Sequence, residues 1–184
     1  MERCRCRFAN PKNGLYLRYH DEEWGIPVYD DKKLYELLIL ESFQAGLSWE
    51  CVLNKREAFR NAFDGFDAKR VSEYGEAEVE RLINDAGIIR CKRKICAAIK
   101  NSRVFLDIVK EYGSFASYIW HFTEGRVVFE EYTLRTTSPL SDEISRDLKK
   151  RGMSFVGSTI VYSLLGACGI INGHERACYL YKEG

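Results

Sequence analysis

Apolar residues recur at helical spacing along most of the chain. The first clear example follows Asp30 or Asp31, either of which can cap a helix N-terminus. Leu34, Leu37 and Leu38 come next, and residues three and four apart lie on one side of a helix. This segment is therefore predicted to be a helix whose apolar face packs against a core.

The same spacing, with capping residues and glycine stops, predicts most of the remaining chain to be helical. Further helices are expected from Ser48 toward Phe63 with a stop at FDGFD, around Val79 to Gly87, from Arg90 to about Val109, from Ser141 to Gly152, and from Thr159 to Cys168 before Gly169. A short aromatic segment, FASYIWHF, follows the Arg90 helix. The opening through about Tyr29 and the stretch from Thr123 to Ser138 look irregular, with RVVFE the only strand-like run. The pattern predicts an all-α fold, with residues 1–184 forming a single domain.

Composition adds little to this picture, but local charge adds more. Hydrophobic residues make up 46% of the 184 positions and charged residues 30%, as in ordinary globular proteins. The net charge of +1 argues neither for nor against a nucleic-acid partner. Six basic residues and no acidic one lie between Arg90 and Arg103, and Lys149, Lys150 and Arg151 form a second basic group. Solvated helix faces explain such runs most simply, and phosphate contacts are the alternative.

The chain has seven cysteines, an odd number without regular spacing. The opening MERCRCRFAN has no apolar core of a signal peptide, and no run is long enough to span a membrane. We therefore expect a cytoplasmic, reducing location, with cysteines that are buried or bind a metal. The size of the chain suits a monomer.

The stretch KKRGMSFVGST, from Lys149 to Thr159, predicts two helices joined by a tight glycine-bounded turn. The first N–H groups of the second helix would be unpaired and would lie at the positive end of its dipole. Such a terminus can bind a phosphate, and Lys150 and Arg151 stand beside it. An ordinary helical hairpin is the alternative.

Residues near the two ends of the chain predict a metal site. His174 and Cys178 are four apart, so one helical turn would direct both at one ion. Cys4 and His20 could supply the other two ligands of a tetrahedral zinc ion. Four protein ligands leave no position for water, so the zinc would be structural and would tie the chain ends together.

Glu41 is unusual because helical spacing places it on the apolar face with Leu34, Leu37 and Leu38. Burial would raise the pKa of its carboxyl group unless hydrogen bonds compensate. The aromatic residues near it in the sequence are Tyr16, Tyr19, Trp24 and Trp49. An arginine partner or a backbone cap would explain Glu41 without a ligand. The functional interpretation is a pocket that stacks a flat ring between aromatics and binds its edge through the carboxylate.

Together these features suggest a helical DNA-binding protein that holds an extruded nucleobase. Five segments, in this order, resemble the 3-methyladenine DNA glycosylase I family: MERC, YHDEEWG from Tyr19, LESFQAGLSW from Leu40, DAGIIR from Asp85, and KKRGMSFVGSTIVYSLLGACGIINGH from Lys149. The resemblance covers nearly the whole chain.

The resemblance implies a helix-hairpin-helix glycosylase that releases 3-methyladenine from double-stranded alkylated DNA. In that family pattern Glu41 recognises the base and Tyr19 and Trp49 sandwich it, while Tyr16 and Trp24 complete the pocket. The implied zinc ligands are Cys4, His20, His174 and Cys178. The implied DNA-binding residues are Gln44, Gly46 and Leu47 in a loop that fills the gap in the duplex, and Lys150, Arg151, Gly152, Gly157, Ser158 and Thr159 at the phosphate-binding hairpin.

The resemblance also bears on mechanism. Many proteins of the wider superfamily use an aspartate beyond the hairpin, and lyase members add a lysine just after it. Here no aspartate follows Asp147, and Thr159 lies near the position of the lysine. We therefore expect a monofunctional hydrolase without lyase activity.

One departure concerns the N-terminal segment. The family usually has a tryptophan two residues after its first cysteine, whereas Cys6 stands two residues after Cys4. Cys6 could compete with Cys4 for the metal. The rival functions are a zinc-stabilised nucleic-acid-binding module without catalysis and a zinc hydrolase with an open ligand position.

Overall fold

The structure is a computed structural model, and it describes residues 3–130 and 135–183. These ranges contain ten α-helices: α1 (Gly14–Glu22), α2 (Asp31–Gln44), α3 (Trp49–Leu53), α4 (Arg56–Ala62), α5 (Ala68–Ser72), α6 (Glu76–Asn84), α7 (Lys92–Tyr112), α8 (Phe115–His121), α9 (Pro139–Lys150) and α10 (Ser158–Ala167). A short 3₁₀ turn, Asp64–Phe66, follows α4. Two short strands, β1 (Val128–Phe129) and β2 (Ile171–Asn172), pair in parallel. The predicted all-α class is confirmed.

Helix α2 is the central element of the core. Every residue from 34 to 43 is buried, and α3, α7, α8 and α10 all contact α2. A helix enclosed on all sides is apolar around its whole circumference rather than on one stripe. Because α2 is buried on every side from residue 34 to 43, Glu41 lies inside the molecule on any face of the helix.

Two predicted N-caps are confirmed by hydrogen bonds. Asp30 accepts from the backbone N–H of Lys33 at 2.8 Å, and Ser48 accepts from Cys51 at 3.3 Å. Asp31, the alternative cap, instead accepts from the first two N–H groups of α8 at 2.9 and 2.8 Å. One aspartate therefore starts α2 and its neighbour fastens α8 to it.

Three predicted helix boundaries are wrong. The segment from Ser48 toward Phe63 is two helices, because the chain breaks at residues 54–55 between α3 and α4. Helix α6 ends at Asn84 with Asp85 extended, so Gly87 does not cap it. Helix α9 begins at Pro139, two residues before Ser141, because Ser138 is the cap and Ser141 completes a reciprocal pair with it.

The opening of the chain was predicted to be irregular through about Tyr29, and this is wrong for residues 14–22, which form α1. The carboxamide oxygen of Asn13 accepts from the N–H groups of Leu15 and Tyr16 at 3.0 and 3.3 Å and starts α1. Helix α1 has a weakly apolar face, so periodicity did not reveal it. It carries Tyr16, Tyr19 and His20 toward the interior.

No helix in the described part of the chain is at once long enough and apolar enough to cross a membrane.

Candidate functional site

A cavity of about 340 Å³ opens between α1, α2, the start of α3 and α10. Its volume lies at the lower end of the range of about 300–1,000 Å³ that small-molecule sites occupy. The five pocket residues predicted from the sequence all line it: Tyr16, Tyr19, Trp24, Glu41 and Trp49. The cavity walls also include Phe8, Gln44, Glu130, Thr159, Tyr162, Ser163 and Gly166.

Glu41 is a buried carboxylate on the wall of this cavity. Only 2% of the residue is exposed, and burial raises the pKa of its carboxyl group well above the ordinary value. In the described ranges, three buried side-chain polar atoms have no hydrogen-bond partner: Oε2 of Glu41, Oε1 of Gln44 and Nε1 of Trp49. All three residues line the cavity. Buried polar atoms are almost always paired, so three together mark a place where a ligand can supply the bonds.

The aromatic side chains form the faces of the cavity. The rings of Tyr19 and Trp49 have centroids 5.1 Å apart with planes inclined by 46°, and Tyr16 lies 6.4 Å from Tyr19. Burial, and then the charge of Glu41, raises the pKa of the Tyr19 hydroxyl well above its usual value. The Tyr19 phenol therefore stays neutral, and the walls offer ring faces to a flat ligand while Glu41 offers its carboxyl group.

Phe8 is a pocket residue that the sequence reasoning missed. Its ring lies 4.7 Å from Trp24 in an edge-on arrangement and 6.0 Å from Tyr16. Phe8 stands two residues after Cys6, the interval at which the family pattern has an aromatic residue after its first cysteine. The sequence therefore contains the expected aromatic residue, but two residues after Cys6 and not two residues after Cys4.

The loop after α2 projects from one edge of the cavity. Gly46 adopts a left-handed backbone with φ of +76°, and the side chain of Leu47 is 42% exposed. Beneath the loop, the ammonium group of Lys94 donates to the carbonyl oxygens of Phe43 and Ala45 at 2.8 and 2.6 Å. Lys94, predicted only as part of a basic run, is a buried support for this loop.

Two thiols and two imidazoles meet at a second site beside the cavity. The Sγ atom of Cys6 lies 3.3 Å from Nδ1 of His174, and Sγ of Cys178 lies 3.5 Å from Nε2 of His20 and from Nδ1 of His174. The four donor atoms lie within 4.8 Å of one another, and all four residues are buried. Cys4 does not take part: its side chain is exposed, and it contributes only its carbonyl oxygen, to the N–H of Tyr179. The cluster therefore contains Cys6 in the place that the sequence prediction gave to Cys4.

Charged neighbours fix the orientation of His20. Its Nδ1 atom lies 2.8 Å from a carboxylate oxygen of Asp21, and Arg5 donates to the same carboxylate at 2.7 to 3.0 Å. The hydrogen bond from Arg5 holds the pKa of Asp21 well below its usual range. The Asp21 carboxylate stays charged and keeps Nε2 of His20 directed at the thiol of Cys178 and the backbone N–H of Cys6, 3.5 and 3.3 Å away.

Helices α9 and α10 form the predicted hairpin across residues 151–157. Gly152 has φ of +106°, a backbone conformation that favours glycine. At Gly157, a Cβ atom would meet nothing within 4 Å, so this N-cap of α10 lies open. Asn101 of α7 pairs with the turn through both backbone groups of Ser154, at 2.8 and 2.9 Å. At the N-terminus of α10, Thr159 is exposed, and the half-buried Ser158 has its hydroxyl 2.7 Å from that of Ser141.

Arg151 was predicted to contact DNA, but its guanidinium is engaged in ion pairs within the protein. Its guanidinium donates to Asp147 at 2.7 Å and to Glu111 at 2.5 Å, and its side chain is 21% exposed. These ion pairs fasten α9 to α7 and occupy the donors of Arg151. Lys150 is exposed, and Lys100 of α7 lies close beside Gly152. The free positive charge at the hairpin therefore belongs to lysines.

The fold and the two sites define a helical protein with an aromatic-walled cavity for a flat, hydrogen-bonding ring. The methyladenine glycosylase family model matches residues 9–181, and the chain belongs to this family. DNA-3-methyladenine glycosylase 1 of Escherichia coli strain K12 is 44% identical over 185 residues, covering 98% of this chain and 97% of that protein.

Solved structures agree with this assignment. A crystal structure of 3-methyladenine DNA glycosylase I superposes with a TM-score of 0.92 at 42% identity, over 97% of this chain and all of that one. A tyrosine-to-phenylalanine variant of 3-methyladenine DNA glycosylase I, in complex with 3-methyladenine, gives 0.90 at 34% identity, over 95% of this chain and 96% of the other.

Proposed function

We propose that this chain hydrolyses the N-glycosidic bond of 3-methyladenine in double-stranded alkylated DNA, releasing the free base and leaving an abasic site. The observation that carries the proposal is the unpaired, buried carboxylate of Glu41 in an aromatic cavity. Family membership and the relatives named for this activity support it.

In this proposal the base is extruded from the duplex and enters the cavity. Tyr19 and Trp49 stack against its faces, with Tyr16, Trp24 and Phe8 completing the walls. Glu41 hydrogen-bonds the edge of the base and stabilises positive charge on it. A base cannot reach these groups while it remains stacked in the duplex, so recognition requires extrusion.

The chemistry needs little acid catalysis from the protein. A 3-methylated adenine carries a positive charge in the nucleotide, so it is already a good leaving group. The protein must hold the extruded nucleotide in place and let water reach the sugar carbon. With Thr159 near the position of the superfamily lysine, no amine is available there for a lyase step, and the product is a simple abasic site.

The hairpin is proposed to dock on the duplex as a helix-hairpin-helix motif. The backbone at Gly157, Ser158 and Thr159 would bind a phosphate at the N-terminus of α10, with Lys100 and Lys150 adding charge. The Gln44–Leu47 loop would enter the gap left by the base, with the exposed Leu47 as the apolar wedge.

We also propose that the thiol–imidazole cluster binds one structural zinc ion. Donor separations of 3.3 to 3.5 Å suit ligands of a single tetrahedral ion, whose Zn–S and Zn–N bonds are about 2.3 and 2.0 Å long. Burial lowers the pKa of His174 to about 4, which leaves a neutral imidazole able to ligate. The ion would supply charge for the buried thiols and would tie Cys6 to Cys178. Four protein ligands would fill its coordination sphere, so the ion would take no part in the hydrolysis.

Base release from methylated duplex DNA tests the proposal. We expect the wild type to release 3-methyladenine, and Glu41→Gln to be slower by on the order of a hundredfold, since it loses a charge-assisted contact. Glu80→Gln, an exposed carboxylate of α6, is the matched control and should match the wild type. Binding without release by well-folded wild type would favour the non-catalytic module instead. A monomeric state and a cytoplasmic location remain predictions.

A further inference from the structure

A second carboxylate, that of Glu130, lines the same cavity. Glu130 directly follows β1, and its N–H donates to the carbonyl oxygen of Asn172 at 3.0 Å, which fixes its backbone on the β ladder. Its Oε2 atom accepts a hydrogen bond of 2.8 Å from the hydroxyl of Tyr162 on α10. Backbone and side chain are thus both anchored, and the residue is half-buried rather than free in solvent.

The depth of Glu130 between the mouth and the floor of the cavity follows from its partner Tyr162, because residues of α10 line the cavity from mouth to floor. Thr159, Tyr162, Ser163 and Gly166 line the cavity along one face of this helix. Thr159 is exposed and adjoins the hairpin, whereas Gly166 is buried and so close to Trp24 that a Cβ atom would lie 3.0 Å from its indole nitrogen. At 1.5 Å per residue, the face descends about 10 Å from mouth to floor.

Tyr162 lies one turn below the mouth, so its partner Glu130 stands at the middle level. An extruded nucleotide whose phosphate is bound at the hairpin and whose base lies near the floor has its sugar at that level. Glu41 belongs to the floor, because it is only 2% exposed and its helix α2 packs against α10. The two carboxylates therefore face different parts of the nucleotide.

We propose that Glu130 is a catalytic residue, which orients the attacking water at the sugar carbon C1′ and accepts its proton, and that Tyr162 is the positioning residue for this carboxylate. The proposal rests on the proposed glycosylase function and deepens it. The hydrogen bond from Tyr162 occupies Oε2 and leaves Oε1 to accept from water.

The step balances without a further reactant. The C1′–N9 bond breaks and its electron pair passes to the methylated base, which neutralises the positive charge on the ring. The water oxygen forms a new bond to C1′, and the water proton passes to Glu130 and then to solvent. While positive charge develops on the sugar, the carboxylate also stabilises it electrostatically.

Single-turnover release of 3-methyladenine, with enzyme in excess over methylated duplex DNA, separates this step from binding. We expect Glu130→Gln to slow the rate constant by about a hundredfold, the low end of the effect of a positioned general base. Tyr162→Phe should slow it by roughly tenfold, since the carboxylate remains but loses its anchor. The affinity for free 3-methyladenine, followed by tryptophan fluorescence, should stay within about twofold of the wild type in both variants.

If a carboxylate acts on the attacking water, a small carboxylate ion from solution can take its place in a variant that lacks the side chain. Formate added to Glu130→Ala should restore part of the rate constant and should not accelerate the wild type. Glu124→Gln is the matched control, because Glu124 is an exposed carboxylate six residues earlier on the same connection.

Three results would overturn the proposal: an unchanged rate constant in Glu130→Gln, a loss of base affinity that accounts for the slower release, or no recovery with formate. A wild type that releases no base would instead refute the proposed function itself. Thermal unfolding of each variant shows whether a lower rate constant comes from misfolding. If Glu130→Ala does not fold, Tyr162→Phe still tests the proposal.

Discussion

The ammonium nitrogen of Lys94 lies 2.6 Å from the carbonyl oxygen of Ala45, in the loop that leaves the central helix. The same nitrogen bonds the carbonyl of Phe43 at 2.8 Å. Beyond the end of α2, Gly46 turns the chain with a left-handed backbone, and a lysine from α7 donates to the carbonyl groups of Phe43 and Ala45. A basic residue of a charged run is therefore part of the support for the loop proposed to enter DNA.

Replacing Lys94 with methionine should loosen this loop while keeping the apolar stem. We expect the free energy of unfolding to fall by about 1–3 kcal/mol, because two carbonyl groups lose their donor. Release of base from DNA should fall, while affinity for free 3-methyladenine should hold. Lys110→Met, at the exposed far end of α7, is the control. Equal base release by Lys94→Met and Lys110→Met would contradict a supporting role.

Glu41 should make the protein less stable as pH rises. Because burial raises the pKa of its carboxyl group above the ordinary value of 4.5, the folded chain binds the proton more tightly than the unfolded chain does. The contribution of Glu41 to stability is therefore full below the unfolded pKa and is lost as pH rises toward the folded pKa.

The Glu41→Gln variant should consequently be more stable than the wild type at pH 7, by about 1 kcal/mol or more. The difference should shrink as pH falls toward 4. Denaturant unfolding of both proteins at pH 4, 5.5 and 7 measures it. A constant difference across this range would show that titration of Glu41 does not set it.

The ligand set with Cys6 makes opposite predictions for two neighbouring cysteines. Cys6→Ser should lose bound zinc and lower the melting temperature, whereas Cys4→Ser should retain one zinc per chain, because its side chain is exposed and outside the cluster. Elemental analysis of both purified variants, with thermal unfolding, tests this. Retention of zinc by Cys6→Ser together with its loss from Cys4→Ser would reverse the assignment.

Gly166 should set the depth of the cavity. A Cβ atom there would lie 3.0 Å from the indole nitrogen of Trp24, so Gly166→Ala must displace the indole. Alanine also favours the helix by about 1 kcal/mol, so stability should change little. We expect affinity for 3-methyladenine to fall roughly tenfold, about 1.4 kcal/mol. In Gly14→Ala the new methyl group meets nothing within 4 Å, and base affinity should stay at the wild-type level.

Lys100 should contribute to DNA binding through charge alone. Replacing it with glutamine should weaken binding of a duplex containing an abasic analogue and reduce the slope of log K against log salt by about 0.9, as for one lost phosphate contact. Lys110→Gln should leave the slope unchanged. A similar slope for both variants would remove Lys100 from the proposed interface.

The sequence was informative where local chemistry decides the structure. The caps at Asp30 and Ser48 could be predicted, because each side chain bonds a backbone group three residues on. Glu41 could be singled out because a carboxylate among buried apolar residues breaks the pattern. The break at residues 54–55 could not be predicted, since no proline or glycine marks it and the contacts of α3 with α2 and α1 are not visible in the sequence.

Long-range geometry limited the prediction of the site. Cys4 and Cys6 have the same chemistry and nearly the same position, and only the folded path of the N-terminal segment selects Cys6. Lys94 looked like its exposed neighbours until its burial was known. Glu130 has no local signature, because its partner Tyr162 is 32 residues away.

The thiol–imidazole cluster and the cavity share their walls. Phe8 follows Cys6 by two residues, Tyr19 adjoins His20, and the indole of Trp24 lies 4.7 Å from the ring of His174. In the proposed zinc-bound enzyme, the ion and the base therefore stabilise one arrangement of the same side chains. Such sites are thermodynamically linked: a bound base raises the affinity for the metal by the factor by which the metal raises the affinity for the base.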